Sequence, residues 1–225
     1  MDLVNGERKG RLNHNAFNYS HYMDCLIHPT YFSNIAHFIA IVNADKVHFE
    51  VCDNYQKQSF RNRTEIYAAN GKLALTVPVS YTQKKRQLYK DVRIANDDSW
   101  QLQHLKSLQS AYSMSPFFEF YIDDLMPLFE KQYKFILDFN LECFAVLLDC
   151  LQLNLNIYKT STFEKETEDK TDFRALVRRN YNVDNLEYYT QVFTEKYGFI
   201  PNLSILDLLF NEGPNCELYL NRQNL

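Results

Sequence analysis

Hydrophobic and polar residues follow two different periods in the first part of the chain. A short apolar run ends at Pro29 and predicts a buried strand that leads into a loop. Apolar residues then recur at helical spacing over 35–42, with Ser33 in the position of an N-cap. The β-branched and aromatic segment 46–51 predicts a second strand. This order predicts a βαβ unit with parallel strands.

The pattern changes further along the chain. Two apolar runs flank Asn70-Gly71, which is typical of a β-hairpin. Helical spacing then dominates over 99–112, 115–133, 138–153 and 204–213, with one short strand predicted within 154–161. The sequence therefore predicts an α/β fold: a small Rossmann-like sheet, a hairpin insertion and a mostly helical second half. We expect residues 1–20 to be a disordered leader and residues 21–225 to form a single domain.

Composition limits the class of protein. Only five glycines occur among 225 residues, and neither glycine-rich phosphate-loop motif is present. Five cysteines without paired spacing favour reduced thiols rather than disulfides or a zinc knuckle. No apolar signal core or membrane-length apolar run is seen, so we expect a cytoplasmic protein with no membrane insertion.

Charge is unevenly distributed along the chain. The formal net charge is −4, but residues 46–106 hold eleven Lys and Arg against six Asp and Glu. A nucleic-acid-binding protein would carry a larger basic surface. The pattern indicates either a local site for an anion or a mixed, solvated surface.

Both interpretations, an anion site or a solvated surface, apply to the most basic stretch of the chain, "DNYQKQSFRNR" over 53–63. In an extended strand, Lys57, Arg61 and Arg63 would lie on one face and repel one another unless an anion lay among them. The alternative is an edge strand protected by its charges. The expected ligand-binding or anion-binding residues are Tyr31, Asn54, Gln56, Lys57, Arg61, Asn62, Arg63 and His104.

His28 and Asp53 are the candidate catalytic residues. His28 follows the first predicted strand, and Asp53 with Glu50 follows the second. Ligands bind at the carboxyl ends of parallel strands in open α/β sheets, where a histidine serves as an acid, a base or a phosphate ligand. A structural hydrogen bond is the alternative role for His28. No metal-binding or nucleophile motif is present.

Several blocks of sequence, taken together, resemble the WbqC-like family. They are "HPTYF" at 28–32, "DNYQKQSFRNR" at 53–63 and "SWQLQHLKSLQSAY" at 99–112. The ending "YTQVFTEKYGFIPNLSILDLLFNEGP" is similar to the Bacteroidetes-type branch of that family. The resemblance spans about 24–221.

The resemblance implies a transferase of surface polysaccharide biosynthesis, such as O-antigen or capsule, because family members occur among those genes. Transfer of glycine or another acyl group to a nucleotide-linked or lipid-linked sugar precursor is implied, with ATP or a nucleotide sugar as the bound nucleotide. The strand, His-containing loop and helix also resemble the layout of HxGH nucleotidyltransferases, although that motif is missing. The alternative is a non-catalytic ligand-binding or scaffold protein of the same pathway.

Overall fold

A four-stranded parallel sheet is the centre of the computed structural model, which describes residues 22–82, 86–96, 99–183 and 185–225. Its strands are β1 (Tyr22–Ile27), β2 (Ala44–Phe49), β7 (Ile157–Lys159) and β8 (Thr171–Asp172). They lie in the order β7-β2-β1-β8, and every neighbouring pair is parallel. Helix α1 (Ile35–Val42) connects β1 to β2, which confirms the predicted βαβ unit. The stretch 1–20 lies outside the described residues.

The predicted hairpin is confirmed. Strands β3 (Arg63–Ala68) and β4 (Gly71–Thr76) pair antiparallel around Asn70-Gly71. Gly71 has φ +95°, a conformation that residues with a Cβ rarely adopt, which explains the glycine at this turn. A second, smaller pair joins β5 (Val79–Ser80) to β6 (Arg93–Ile94).

The second half is mainly helical, as predicted. Its helices are α2 (Trp100–Tyr112), α3 (Phe118–Glu130), α4 (Ile136–Leu151), α5 (Thr194–Tyr197), α6 (Ile205–Glu212) and α7 (Cys216–Arg222). Short 3₁₀ turns lie at Tyr89–Asp91, Arg174–Val177 and Gly213–Asn215. The helix predicted over 204–213 ends at Gly213 as expected, but the expectation that it closes the chain is wrong, because the backbone turns there and continues into α7.

Two expected helix starts are also wrong. Helix α1 is capped by Asn34 rather than Ser33, because the Asn34 Oδ1 atom accepts a hydrogen bond from the His37 backbone amide at 3.0 Å. Helix α3 begins at Phe118, after Phe117, rather than at Ser115-Pro116. The Ser115 hydroxyl instead donates to the Tyr112 carbonyl at the end of α2.

The two faces of the sheet differ in polarity. Cys25 and Ile27 of β1 and Val47 and Phe49 of β2 alternate onto one face and are buried in the hydrophobic core. Phe49 contacts Phe144 of α4 edge to face, with 4.9 Å between ring centroids. The opposite face carries polar side chains, including Asp24 and His48, whose Oδ2 and Nε2 atoms lie 2.8 Å apart. Helices therefore cover the apolar face.

No helix within the described part of the chain combines the length and apolar character needed to cross a lipid bilayer.

Candidate functional site

The carboxyl ends of β1, β2 and β8 meet at one edge of the sheet. β1 leads into His28, β2 leads into Glu50, and β8 leads into Arg174. Along the chain, β2 is placed beside β1 and β7 beside β2. The chain then crosses back and places β8 on the other side of β1. The order of strands thus reverses between β1 and β8. In open α/β sheets this is the position where ligands bind.

His28, Asp53 and Arg61 form one hydrogen-bonded cluster at this edge. The Arg61 Nη2 atom donates to Asp53 Oδ2 at 2.8 Å and lies 2.9 Å from His28 Nε2. The His28 Nε2 atom and Asp53 Oδ2 are 3.4 Å apart. Arg61 is fully buried, and its guanidinium lies 5.4 Å from the centre of the Tyr89 ring. Three residues that span 33 positions of the sequence are therefore fixed as a unit.

Arg61 also fixes the protonation of His28. A guanidinium only donates hydrogen bonds, so the His28 Nε2 atom must be the acceptor. The proton of the neutral ring then lies on Nδ1, which donates to the Glu50 carbonyl at 3.3 Å. Burial, together with the charge of Arg61, holds the pKa of His28 well below its usual range. His28 is neutral near pH 7, and its lone pair is engaged by Arg61.

Arg174 links the loop that precedes β8 to the strand ends. Its Nη1 and Nη2 atoms donate to the Glu164 and Lys165 carbonyls at 2.6 and 3.0 Å. Its Nε and Nη2 atoms form a fork on the Asp172 carboxylate at 2.9 and 2.7 Å, which raises the pKa of Arg174. The Nη1 atom also lies 3.6 Å from Oε2 of the buried Glu50. Arg174 is therefore a structural centre of this edge.

A pocket of about 270 Å³ opens at the cluster. We call it the first pocket, and its lining residues are His28, Asp53, Gln56, Phe163, Lys165, Asp172, Arg174, Ala175, Val177 and Arg178. Three cationic side chains and two carboxylates face it, and the buried Arg61 lies directly behind Asp53. Guanidinium and ammonium groups in a concave site suit phosphate or carboxylate ligands.

The structure brings four of the residues singled out by sequence to this place. His28, Asp53 and Gln56 line the first pocket, and Arg61 supports it from behind. The Asn54 backbone amide donates to Asp53 Oδ1 at 2.6 Å, so Asn54 lies beside the pocket.

Other candidate residues lie elsewhere. Tyr31 and His104 form a buried pair, with 2.9 Å between the Tyr31 hydroxyl and His104 Nδ1, and burial lowers the pKa of His104 to about 4. The buried Asn62 side chain donates to the Val77 carbonyl at 2.8 Å. Lys57 is exposed and lies 4.9 Å above the Tyr81 ring. Arg63 is half-buried at the start of β3.

An extended strand through 53–63 is a wrong expectation. This segment is mostly turns, with isolated bridges at Asn54 and Ser59, and only Arg63 belongs to a strand. The cations at 57, 61 and 63 therefore lie in three different environments rather than on one face.

The cationic wall of the first pocket comes instead from Lys165, Arg174 and Arg178. Lys165, Arg174 and Arg178 are not among the residues that the sequence pattern singled out. One signal was present: "TDF" places β-branched and aromatic residues just before Arg174, as a short strand would. Within the described ranges, no group of three or more His, Cys, Asp or Glu side chains is arranged to hold a metal ion.

Comparison with known proteins identifies the family. The sequence profile of the WbqC-like protein family matches residues 28–191, which include the His28, Asp53 and Arg61 cluster and Arg174. The chain belongs to the WbqC-like protein family. It is also similar to the uncharacterized protein Rv1507c of Mycobacterium tuberculosis, with 26% identity over 198 residues, covering 74% of this chain and 83% of the relative. No solved structure matches the chain.

Proposed function

We propose that this WbqC-like protein is a transferase of surface polysaccharide biosynthesis, which binds a phosphate-bearing donor in the first pocket. The observation that carries this proposal is the position of the pocket, at the reversal of strand order and surrounded by Lys165, Arg174 and Arg178. Phosphates in open α/β sheets bind at this position, and arginine forks suit their geometry. The association of the family with polysaccharide genes supports the choice of pathway.

The reaction that we propose is acyl transfer, with glycine among the candidate acyl groups and a sugar precursor as the acceptor. A bond forms between the acceptor's amine nitrogen and the carbonyl carbon of an acyl phosphate. The bond between that carbon and the phosphate oxygen breaks, and the phosphate leaves as an anion stabilised by Lys165 and Arg178, which line the pocket. The amine proton passes to the Asp53 carboxylate, which lines the pocket. His28 positions Asp53 through Arg61 and does not itself accept the proton, because Arg61 occupies its lone pair.

Calorimetric titration with ATP, a nucleotide sugar and inorganic phosphate tests the binding site. We expect at least one of these ligands to bind, and we expect Arg178→Ala to weaken that binding about tenfold, because a charge-assisted hydrogen bond contributes roughly 1.5–3 kcal/mol. Arg222→Ala, which removes an exposed arginine on α7, is the matched control. The proposal fails if no phosphate-bearing ligand binds, or if the two variants bind equally well.

A non-catalytic ligand-binding protein is the second candidate. The engagement of His28 by Arg61 and Glu50 favours it, since both ring nitrogens already have partners. Asp53→Asn separates the two candidates when compared at equal amounts of folded protein, a condition that is needed because the variant leaves the buried Arg61 without its counter-charge. Polysaccharide modification in cells carrying this variant is lost if Asp53 accepts the proton, and is unchanged if the protein only binds its ligand.

A further inference from the structure

A second pocket lies on the other side of the loop that borders the first one. Its volume is about 220 Å³, and it lies over the polar face of the sheet. Leu26 of β1 and His48 of β2 line it from the sheet, and Thr160, Ser161 and Thr162 line it from the loop. Lys159, Glu50, Glu164 and Lys170 complete the lining.

Four consecutive residues form a partition between the two pockets. Thr162 and Glu164 line the second pocket, whereas Phe163 and Lys165 line the first. The residues of this short stretch thus alternate between the two pockets, so the stretch presents one surface to each pocket. We call residues 162–165 the partition.

The partition is held in place by Arg174. This side chain donates to the carbonyls of Glu164 and Lys165, and its guanidinium lies 5.4 Å from the centre of the Phe163 ring. Arg174 also pairs with Glu50, which lines the second pocket, at 3.6 Å. The two pockets are therefore adjacent and share one ion pair at their common border.

The chemistry of the second pocket differs from that of the first. Its two lysines are matched by two glutamates, of which Glu50 is already paired with Arg174. Three successive residues with hydroxyl groups line one side. On the sheet side, the half-exposed Tyr158 stacks on His48 with 5.2 Å between ring centroids. Hydroxyl groups and a nearby aromatic face suit an uncharged, hydroxyl-rich ring.

We propose that the second pocket binds the sugar ring of the acceptor, next to the donor phosphate in the first pocket. This inference rests on the proposed function, because it assigns the second substrate of the same transfer. The partition separates the sugar ring of the acceptor from the donor phosphate, and the shared border at Glu50 and Arg174 is where the acceptor's amine would reach the donor.

Saturation-transfer difference NMR tests the second pocket with three neutral probes: methyl glucoside, methyl galactoside and methyl N-acetylglucosaminide. We expect at least one probe to give a signal with the wild-type protein. Ser161→Trp should abolish that signal by filling the pocket, while the matched variant Ser113→Trp, at an exposed position after α2, should keep it. Should Ser161→Trp fail to fold, the Ser161→Ala/Thr162→Val pair should weaken binding about tenfold.

Two results would overturn the inference: no signal from any of the three probes, or an unchanged signal when the second pocket is filled or loses its hydroxyl groups. Titration with ATP distinguishes a failure of the second-pocket inference from a failure of the proposed phosphate site. ATP affinity should change less than twofold in Ser161→Trp. Loss of all phosphate binding with retained glycoside binding would refute the phosphate site but not the second pocket.

Discussion

Removal of the buried Arg61 guanidinium should strongly destabilise the protein. Arg61 is fully buried, and its partner Asp53 has a side chain that is 11% exposed. Arg61→Met keeps most of the apolar stem but leaves the Asp53 carboxylate and the His28 Nε2 atom without their shared donor. The carboxylate then faces a poorly solvated environment without a counter-charge.

The expected loss can be estimated from these contacts. Removing one member of a buried ion pair costs about 3–5 kcal/mol. The orphaned His28 acceptor adds about 1–3 kcal/mol, part of which overlaps with the first figure because one nitrogen serves both partners. We therefore expect Arg61→Met to lower the free energy of unfolding by about 4 kcal/mol, a large share of the roughly 5–15 kcal/mol typical of a folded protein.

Urea unfolding measures this loss, with fluorescence of Trp100 as the probe. Trp100 is the only tryptophan in the sequence and is buried. Arg222→Met, at an exposed position, is the control and should change stability by less than about 0.5 kcal/mol. Asp53→Asn combined with Arg61→Met should recover about 2 kcal/mol relative to additive losses, because it removes the unpaired carboxylate. A loss below about 1 kcal/mol in Arg61→Met, or strict additivity, would refute the reasoning.

Three further predictions concern other parts of the fold. Burial lowers the pKa of His37 to about 3 and that of His104 to about 4, so the unfolded chain takes up protons first as pH falls below 6.5. Each histidine should therefore lower the free energy of unfolding by about 1.4 kcal/mol per pH unit between pH 6 and 5. In the His104→Gln variant, the midpoint of urea unfolding should depend less steeply on pH than in the wild-type protein. Arg174→Gln should release the loop 160–170, so that a lysine-specific protease cuts there at least tenfold faster. Gly213→Ala should cost about 2–4 kcal/mol in urea unfolding, because φ is +52° and the added Cβ would lie 2.6 Å from an aromatic ring.

Specific outcomes would contradict these three predictions. An unchanged pH slope in His104→Gln would show that its pKa is not lowered in the folded protein. A protease rate equal to that of wild type would show that Arg174 does not hold the loop. Gly71→Ala is the control for Gly213→Ala, since its φ is also positive but no atom lies within 4 Å of an added Cβ. Equal losses in the two glycine variants would contradict the steric argument.

The sequence pattern alone was sufficient to predict the helices and turns that are determined by residues close together in the chain. The helical spacing over 35–42 and the Asn70-Gly71 turn are set by neighbouring residues, so the βαβ unit and the hairpin were predictable from sequence. The position of His28 and Asp53 near one sheet edge followed from the same reasoning, because both come after strands that run parallel. Sequence by itself thus determined the fold class and singled out three of the ten residues that line the first pocket.

Tertiary structure alone decided the rest. β8 is only two residues long, which is too short to show a periodic pattern in the sequence. Its pairing with β1 nevertheless brings Arg174 to the pocket, although Arg174 lies about 145 residues after His28 in the chain. The pairing energy comes from backbone hydrogen bonds to a distant strand, which leave no pattern in the nearby sequence. Likewise, the sequence placed Arg61 with Lys57 and Arg63 on one face of a strand, and only packing against Asp53, His28 and Tyr89 made it the buried support of the site. Burial and long-range pairing are properties of the whole chain, and they decided which of its charges form the pocket.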